Sequence, residues 1–418
     1  MAPPDGESAA LEAKIVQGAG VADLVNLGYR SSPMIRAARA EWRAAVEKYR
    51  VDTAWADPEL MVEGMYPAED PGNLAKPMDW SVALSQAIPL WGRQGTAGAV
   101  TRAEVRVAKL KADAAVRDMT YGVRRSAAEL GYLAAARQIA GDQQELVAKL
   151  VAGGAGAYAG QRASLFELMK ARAQSGQVAY DVLLLEEAER TERARLNALL
   201  DRAPDAPIGA IAGESAAALA FSVSEIDALV ETNNDDVLVA GAEAEKAEAM
   251  AKLVRYENLP EVSLGVSYGQ EDDEKQFGLR AGLMLPLHPG KNAGRLGAAQ
   301  ADIERMRAMY RSRLNETRAK AHDVAFRLKN AERLDALYRD DLIPQAERAI
   351  EASQARLDQG QGDLGAAAEA RSAWYSFRLA RARAQADRGA LLAELESLAG
   401  RSLTRRDDAA AGPQGGAK

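Results

Sequence analysis

The sequence predicts a mostly α-helical fold with a small β portion suited to a membrane, built by duplicating one unit. Three observations predict it. First, Ala87-Ile88-Pro89-Leu90-Trp91-Gly92-Arg93 returns about two hundred residues later as Met284-Leu285-Pro286-Leu287-His288-Pro289-Gly290-Lys291. Pro58-Glu59-Leu60 likewise returns as Pro260-Glu261-Val262, and Leu165, Ala171-Arg172 and Leu199 return as Leu364, Ala370-Arg371 and Leu398. Second, two long stretches keep helical periodicity, free of proline except for Pro344. Third, two pairs of short segments alternate large apolar residues with small or polar ones.

Composition agrees with long helices packed side by side. Aromatics are 5% of the 418 residues, while Ala, Arg, Glu and Leu dominate, and Ala allows close helix approach. The net charge of −7 gives no basic stripe, so no nucleic-acid partner is expected. There is no cysteine, which excludes disulfides, thiolate metal sites and cysteine nucleophiles. The two histidines, His288 and His322, stand far apart, and no Gly-rich phosphate loop follows a strand. No enzyme activity, cofactor or metal site is therefore expected. No run of about eighteen apolar residues exists, so no transmembrane helix is expected. A barrel strand needs only about ten alternating residues and is not excluded.

In order along the chain, residues 1–20 read as a flexible segment without the apolar core of a signal peptide. The first structural repeat is expected over 21–202. It opens with a helix over 21–54, interrupted at Ser31-Ser32-Pro33, a cap followed by a first-turn proline. A β-hairpin follows over 59–88. Leu60, Val62, Gly64 and Tyr66 share one face of its first strand, and Trp80, Val82, Leu84 and Ile88 one face of its second. The Pro-, Gly-, Asn- and Asp-rich stretch 67–77 is its loop. A long helical hairpin over 93–200 has a helix to about residue 151, a turn over 153–161 and a returning helix over 163–200. Residues 203–223 read as a linker, broken by Pro204, Pro207 and Gly209.

The second repeat, 224–403, opens with Ser224 and Asp227 as a helix start. Its β-hairpin, 261–286, places Val262, Leu264, Val266, Tyr268, Phe277, Leu279, Ala281, Leu283 and Leu285 on apolar faces around an acidic loop at 269–276. The helical hairpin 291–399 turns over 359–362. In its first arm Leu296, Ala299, Ile303, Met306 and Tyr310 keep 3,4 spacing. Leu314, Thr317, Ala321, Val324 and Leu328 resume it after one extra four-residue step, a heptad seam with a stutter. Roughly sixty residues of helix span roughly 90 Å. Residues 404–418 read as a disordered tail.

A half-buried sheet on a soluble core would show the same alternation. Here, however, one face carries Gly, Ser, Ala, Glu63 and Arg280, which are not core residues. Tyr66, Trp80, Tyr268 and Phe277 cluster at the loop ends, where an interfacial girdle would sit. Four strands cannot close a barrel, so their edges demand partners. On composition alone, a soluble coiled-coil scaffold carrying two small hairpins stays open.

This order of elements, from about residue 21 to 403, resembles the TolC family of outer-membrane efflux factors. The duplicated strand-to-helix junctions look like the family's strand-to-tunnel junction. The tips Gly160-Gln161-Arg162-Ala163-Ser164-Leu165 and Gly360-Gln361-Gly362-Asp363-Leu364 look like its helical-turn motif. The resemblance implies a homotrimer. Each protomer gives four strands to a twelve-stranded barrel in the outer membrane of a Gram-negative bacterium, continued by an α-helical coiled-coil barrel in the periplasm. It implies a periplasmic adaptor docked at Gly160, Ser164, Leu165, Gly360, Asp363 and Leu364, and an inner-membrane pump behind it. On that reading Leu60, Val62, Leu84, Leu264, Val266, Leu279 and Leu283 face lipid, while Glu63 and Arg280 face the lumen. Matched from the tip glycine, Glu369 falls at one acidic position of the family's periplasmic gate, and Ala366 stands at the other. Glu167 and Lys170 are their equivalents in the first repeat. The Pro-Leu-Trp-Gly-Arg junction also looks like the heavy-metal-resistance branch, and a type I secretion duct is the alternative within the family. The family is often lipid-anchored through an N-terminal cysteine, and this chain has no cysteine.

Overall fold

The computed structural model describes residues 6–65, 79–89, 92–159, 164–212, 219–271, 274–359 and 364–404. In chain order they form α1 (Gly6–Gln17), β1 (Ala19–Gly20), α2 (Val21–Ser31), α3 (Pro33–Asp52), β2 (Glu59–Met65), β3 (Asp79–Ile88), α4 (Arg93–Ala159), α5 (Leu165–Leu199), β4 (Ile211–Ala212), α6 (Val223–Asn233), α7 (Asp235–Glu257), β5 (Glu261–Glu271), β6 (Glu274–Met284), α8 (Pro289–Leu337), a π-helical turn (Tyr338–Leu342), α9 (Ile343–Asp358) and α10 (Leu364–Ala399). They gather into two compact units. One comprises Met1–Arg36, Asp113–Asn234 and Asn315–Lys418, the other Ala37–Ala112 and Asp235–Leu314. Each unit draws on both sequence repeats.

In the first unit the duplication reappears as two cores of the same design. One joins Leu24 and Leu27 of α2 to Met119 and Val123 of α4 and to Leu196 of α5. The other joins Ile226 and Val230 of α6 to Val324 and Leu328 of α8 and to Leu391 and Leu395 of α10. Each is a short helix laid against a long helix and its returning arm. Full burial of one such leucine contributes about 1.5–3 kcal/mol. Both returning helices end in a left-handed residue, Asp201 (φ 56°) and Gly400 (φ 69°). At Gly400 a Cβ would also collide with the Asn233 carbonyl oxygen, so glycine is required there twice over.

Several expectations are corrected. Within 1–20, α1 is an ordered helix: Ile15 is fully buried in the first core, and its carbonyl accepts the Gly209 N–H at 2.9 Å. The apolar spacing Leu11–Ile15 was too short to reveal a helix by periodicity. The start of α6 lies two residues earlier than expected: Ser222 is the cap, accepting the Glu225 N–H while Glu225 bonds back to the Ser222 N–H at 2.7 Å. The first tip turn does not begin at Gly153, because α4 stays helical to Ala159. Glycine inside a helix costs only about 1 kcal/mol relative to alanine, which a packed helix absorbs. The acidic loop expected at 269–276 is mostly strand, since β5 and β6 pair out to Glu271 and Glu274.

The α8 seam is buried at Thr317, Ala321, Val324, Leu328, Ala331 and Asp335. It resumes at Ile343 and Ala346, beyond the π-helical turn. In that turn the Ile343 N–H bonds the Tyr338 carbonyl, five residues back. Pro344, whose ring nitrogen carries no donor, follows directly. The seam residue Asp335 is held by Arg381 Nε at 3.1 Å and Gln385 Nε2 at 3.0 Å, both from α10.

In the second unit, β2-β3-β5-β6 form one antiparallel sheet. Helices α3, α4 and α7 are tied by ion pairs. Glu104 accepts from Lys246 Nζ at 2.6 Å and from Lys48 Nζ at 2.8 Å. Burial opposes its ionisation, but the two ammonium groups outweigh that and hold its carboxyl below the usual range. Arg106–Glu245 (2.5 Å) extends the same seam.

Candidate functional site

Register decides which strand residues share a face. Leu60 lies opposite Leu84, Leu84 opposite Val266, and Val266 opposite Leu279. The next row outward, toward the hairpin ends, is Val62, Val82, Tyr268 and Phe277. Leu264 and Leu283 fall on this face by alternation. Apart from the half-buried Val82, these apolar side chains are exposed, Leu279 at 80% and Val62 at 70%. Contiguous exposed apolar faces of this kind mark surfaces that meet a membrane or another protein.

The opposite face carries Glu63 in a row with Ser81, Gly269 and Gln276. Arg280 lies in a row with Gly265, Ser85 and Glu59. The structure thus brings Glu63 and Arg280 to one face but to different rows. Sequence reasoning singled out these two charges and missed their setting. Alternation also places Glu59, Asp79, Glu261, Glu271 and Glu274 on that face, so Arg280 is its one cation among the described residues. The spacing-two pattern from Glu59 through Glu63 held that signal. Met61, Met65 and Met284 share the face. At Gly265 a Cβ would lie 2.7 Å from the Leu84 carbonyl oxygen, so the strands approach too closely on this side for any larger residue.

The tips of the helical hairpins belong to the first unit. Gly160, Gly360 and Asp363 lie outside the described residues. Ser164 directly precedes α5, and Leu165 opens it, half exposed beside the more exposed Phe166. Leu364 opens α10, and Glu167 lies in the first turn of α5. Leu150 of α4, Leu357 of α9 and Ala367 and Ala368 of α10 pack together beneath the tips.

The expected gate residues Glu369 and Lys170 are brought together. Lys170 Nζ sits 2.7 Å from Glu369 Oε1, linking α5 to α10 across 199 residues of sequence. Both are substantially exposed, so the pair contributes under about 1 kcal/mol to stability. Farther along the same helices, sequence reasoning missed a second polar layer. Arg378 pairs with Asp142 at 3.3 Å and stacks over Trp374 at 4.6 Å. Tyr375 donates to Asp181 at 3.4 Å, and its phenol is pushed up to about 12, by burial first and by the Asp181 charge second. Beside this layer Gln143 is fully buried with neither amide atom hydrogen-bonded, at a cost of about 1–3 kcal/mol.

His322 is occupied by Asp227 at 2.9 Å. Among the described residues no group of three or more His, Asp or Glu side chains is placed to hold a metal ion. No helix among them is long and apolar enough to cross a membrane.

Residues 228–401 match a family model described as outer membrane efflux protein. No curated protein matches the chain in sequence. The fold is similar to solved structures over nearly its whole length. The outer membrane protein VceC of Vibrio cholerae is 19% identical, with a TM-score of 0.77 over 92% of this chain and 96% of that one. CusC, in a study of folding and transmembrane channel formation, is 15% identical, with a TM-score of 0.79 over 91% and 92%. The open state of the MtrE outer membrane channel of Neisseria gonorrhoeae is 16% identical, with a TM-score of 0.67 over 92% and 91%. At these identities the likeness is one of fold.

Proposed function

We propose that the chain, whose residues 228–401 match the outer membrane efflux protein model, is one protomer of a homotrimeric exit duct in a tripartite efflux system. It is an outer-membrane transport protein and not an enzyme. The observation that carries the duct reading is the two-faced sheet. One face of its four strands leaves most of its large apolar side chains exposed, and among the described residues its outer strands β2 and β6 each have one unpaired edge. Three copies joined β6 to β2 make twelve strands, remove every edge, turn Leu60, Leu84, Leu264 and Leu279 to lipid, and turn Glu63 and Arg280 to the lumen.

The helical hairpins then continue the duct into the periplasm. An adaptor docks at Gly160, Ser164, Leu165, Gly360, Asp363 and Leu364, supported by the exposed Leu165 and Phe166. An inner-membrane pump supplies the energy and most of the selectivity, since a wide solvated tunnel discriminates poorly. Its cargo is small solutes, heavy-metal ions among them. The acidic inner face, with its methionines, suits cations in transit without fixing them. Glu369, paired with Lys170, stands at the periplasmic gate, with Glu167 in the neighbouring turn.

Native mass of the full chain in mild detergent tests the assembly. A trimer that requires detergent is expected. A monomer or dimer stable in plain buffer would sink the duct reading and favour a soluble coiled-coil scaffold. On such trimers the two tip roles separate. Leu165→Asp should abolish adaptor binding, whereas Glu369→Gln should leave it intact and alter cation conductance. If Leu165→Asp binds adaptor normally, the tip is not the dock; if conductance is unchanged in Glu369→Gln, that carboxylate is not in the gate.

A further inference from the structure

We propose that the outward end of the apolar sheet face binds the phosphorylated headgroup of an outer-leaflet lipid, with Lys275 as the cation. The inference rests on the duct reading, which turns this face to lipid and its hairpin ends outward. Register builds the site. Beyond the row Val62–Val82–Tyr268–Phe277 comes one last row, Gly64–Trp80–Gln270–Lys275. Every large side chain in that row can donate a hydrogen bond: an indole N–H, a carboxamide and an ammonium. Trp80 is fixed edge-on against Tyr268, ring centroids 5.9 Å apart at 70°. Aromatic side chains of this kind settle at the headgroup level of a membrane.

Charge is sorted with the same sharpness. Lys275 is the one charged residue on the apolar face among the described residues. Among the described residues, the neighbouring carboxylates Glu271 and Glu274 lie opposite each other in register and fall on the opposite face by alternation, as do Asp79 and Glu63. A lysine placed for solubility alone would gain more on the polar side. From Trp80 to Lys275 the row crosses two strand intervals, about 10 Å, broad enough for a phosphorylated sugar headgroup. At the other end of the band, the row Ile88–Val262–Leu283 has neither aromatic nor cation. The combination of aromatic and cation therefore marks one end of the band among the described residues, while Gln86 near the other end spends its amide on the Ala56 and Ala87 carbonyls.

The test uses the full chain in mild detergent with a chelator present, so that divalent ions cannot bridge acidic residues to phosphate. Retention of bisphosphorylated lipid A is compared with that of the same lipid after dephosphorylation, by native mass. The wild type should retain the phosphorylated form preferentially, Lys275→Arg should match it, and Lys275→Gln should lose about fivefold per chain. Equal retention of the two lipids by wild-type trimers, or undiminished retention by Lys275→Gln, overturns the site and leaves the duct reading standing. Absence of a trimer in the same spectra would instead remove the duct reading on which the site depends.

Discussion

Leu279→Arg should keep the chain out of the outer membrane. Leu279 is the central residue of β6 and, at 80% exposure, among the barest of the large apolar residues on the face. An arginine at the midplane of the lipid face costs about 2–4 kcal/mol, and a trimer incurs that cost three times. The neighbouring position makes the comparison sharp, because Arg280 is native and one residue along a strand reverses the face. The control is Gln276→Arg, which adds the same charge to the row of Glu63 and should insert normally. Membrane fractionation reads both. Normal insertion of Leu279→Arg with loss of Gln276→Arg would show the faces assigned backwards.

The second large effect is on stability. Arg124→Ala should cost about 3 kcal/mol. Arg124 of α4 and Glu396 of α10 meet at 2.5 Å, and both are mostly buried, at 19% and 9% side-chain exposure. Glu396 also accepts the Leu403 N–H at 2.8 Å and the Ser402 hydroxyl at 2.9 Å, which fastens the chain end to α10. Removing the guanidinium leaves a buried carboxylate short of its counter-charge, and the penalty comes from that orphaned charge. The paired replacement Arg124→Met with Glu396→Gln should therefore recover most of the loss. Denaturant midpoints of the helical signal measure this. An unchanged midpoint in Arg124→Ala would mean that solvent already satisfies Glu396.

Much of this architecture is legible in the residues because period and position agree. Leu264 and Val266 alternate with small or polar neighbours, Leu60 and Val62 alternate with Glu59, Met61 and Glu63, and a pattern of two assigns strand and face together. The long helices announce themselves by 3,4 spacing and scarce proline. What escaped falls into two physical kinds. Some features depend on contacts distant in sequence: Ile15 orders α1 only because a core built from α2, α4 and α5 receives it, and Lys170 finds Glu369 from 199 residues away. Others reflect local signals overruled by packing. Gly153 and Gly156 read as a turn yet stay within α4, and the acidic residues near 271 read as a loop yet extend the sheet. Of the tip, Gly160, Gly360 and Asp363 are named by the family resemblance alone.

The π-helical turn before Pro344 works as a frameshift in three dimensions. The α8 seam counts four and three: 317, 321, 324, 328, 331, 335. Continued unaltered, it would next surface at 338 and 342. It surfaces instead at Ile343, then Ala346. One surplus residue has been looped out where a donorless proline made room for it, and an unabsorbed residue would rotate everything beyond by about 100°. The shaft and the tip of this helical arm are therefore written in different reading frames. Removing one residue within 338–342 would turn the π-helical stretch into plain α-helix and leave both halves of the seam in place, whereas removing one elsewhere in the arm would put the two sides of the cut about 100° out of phase.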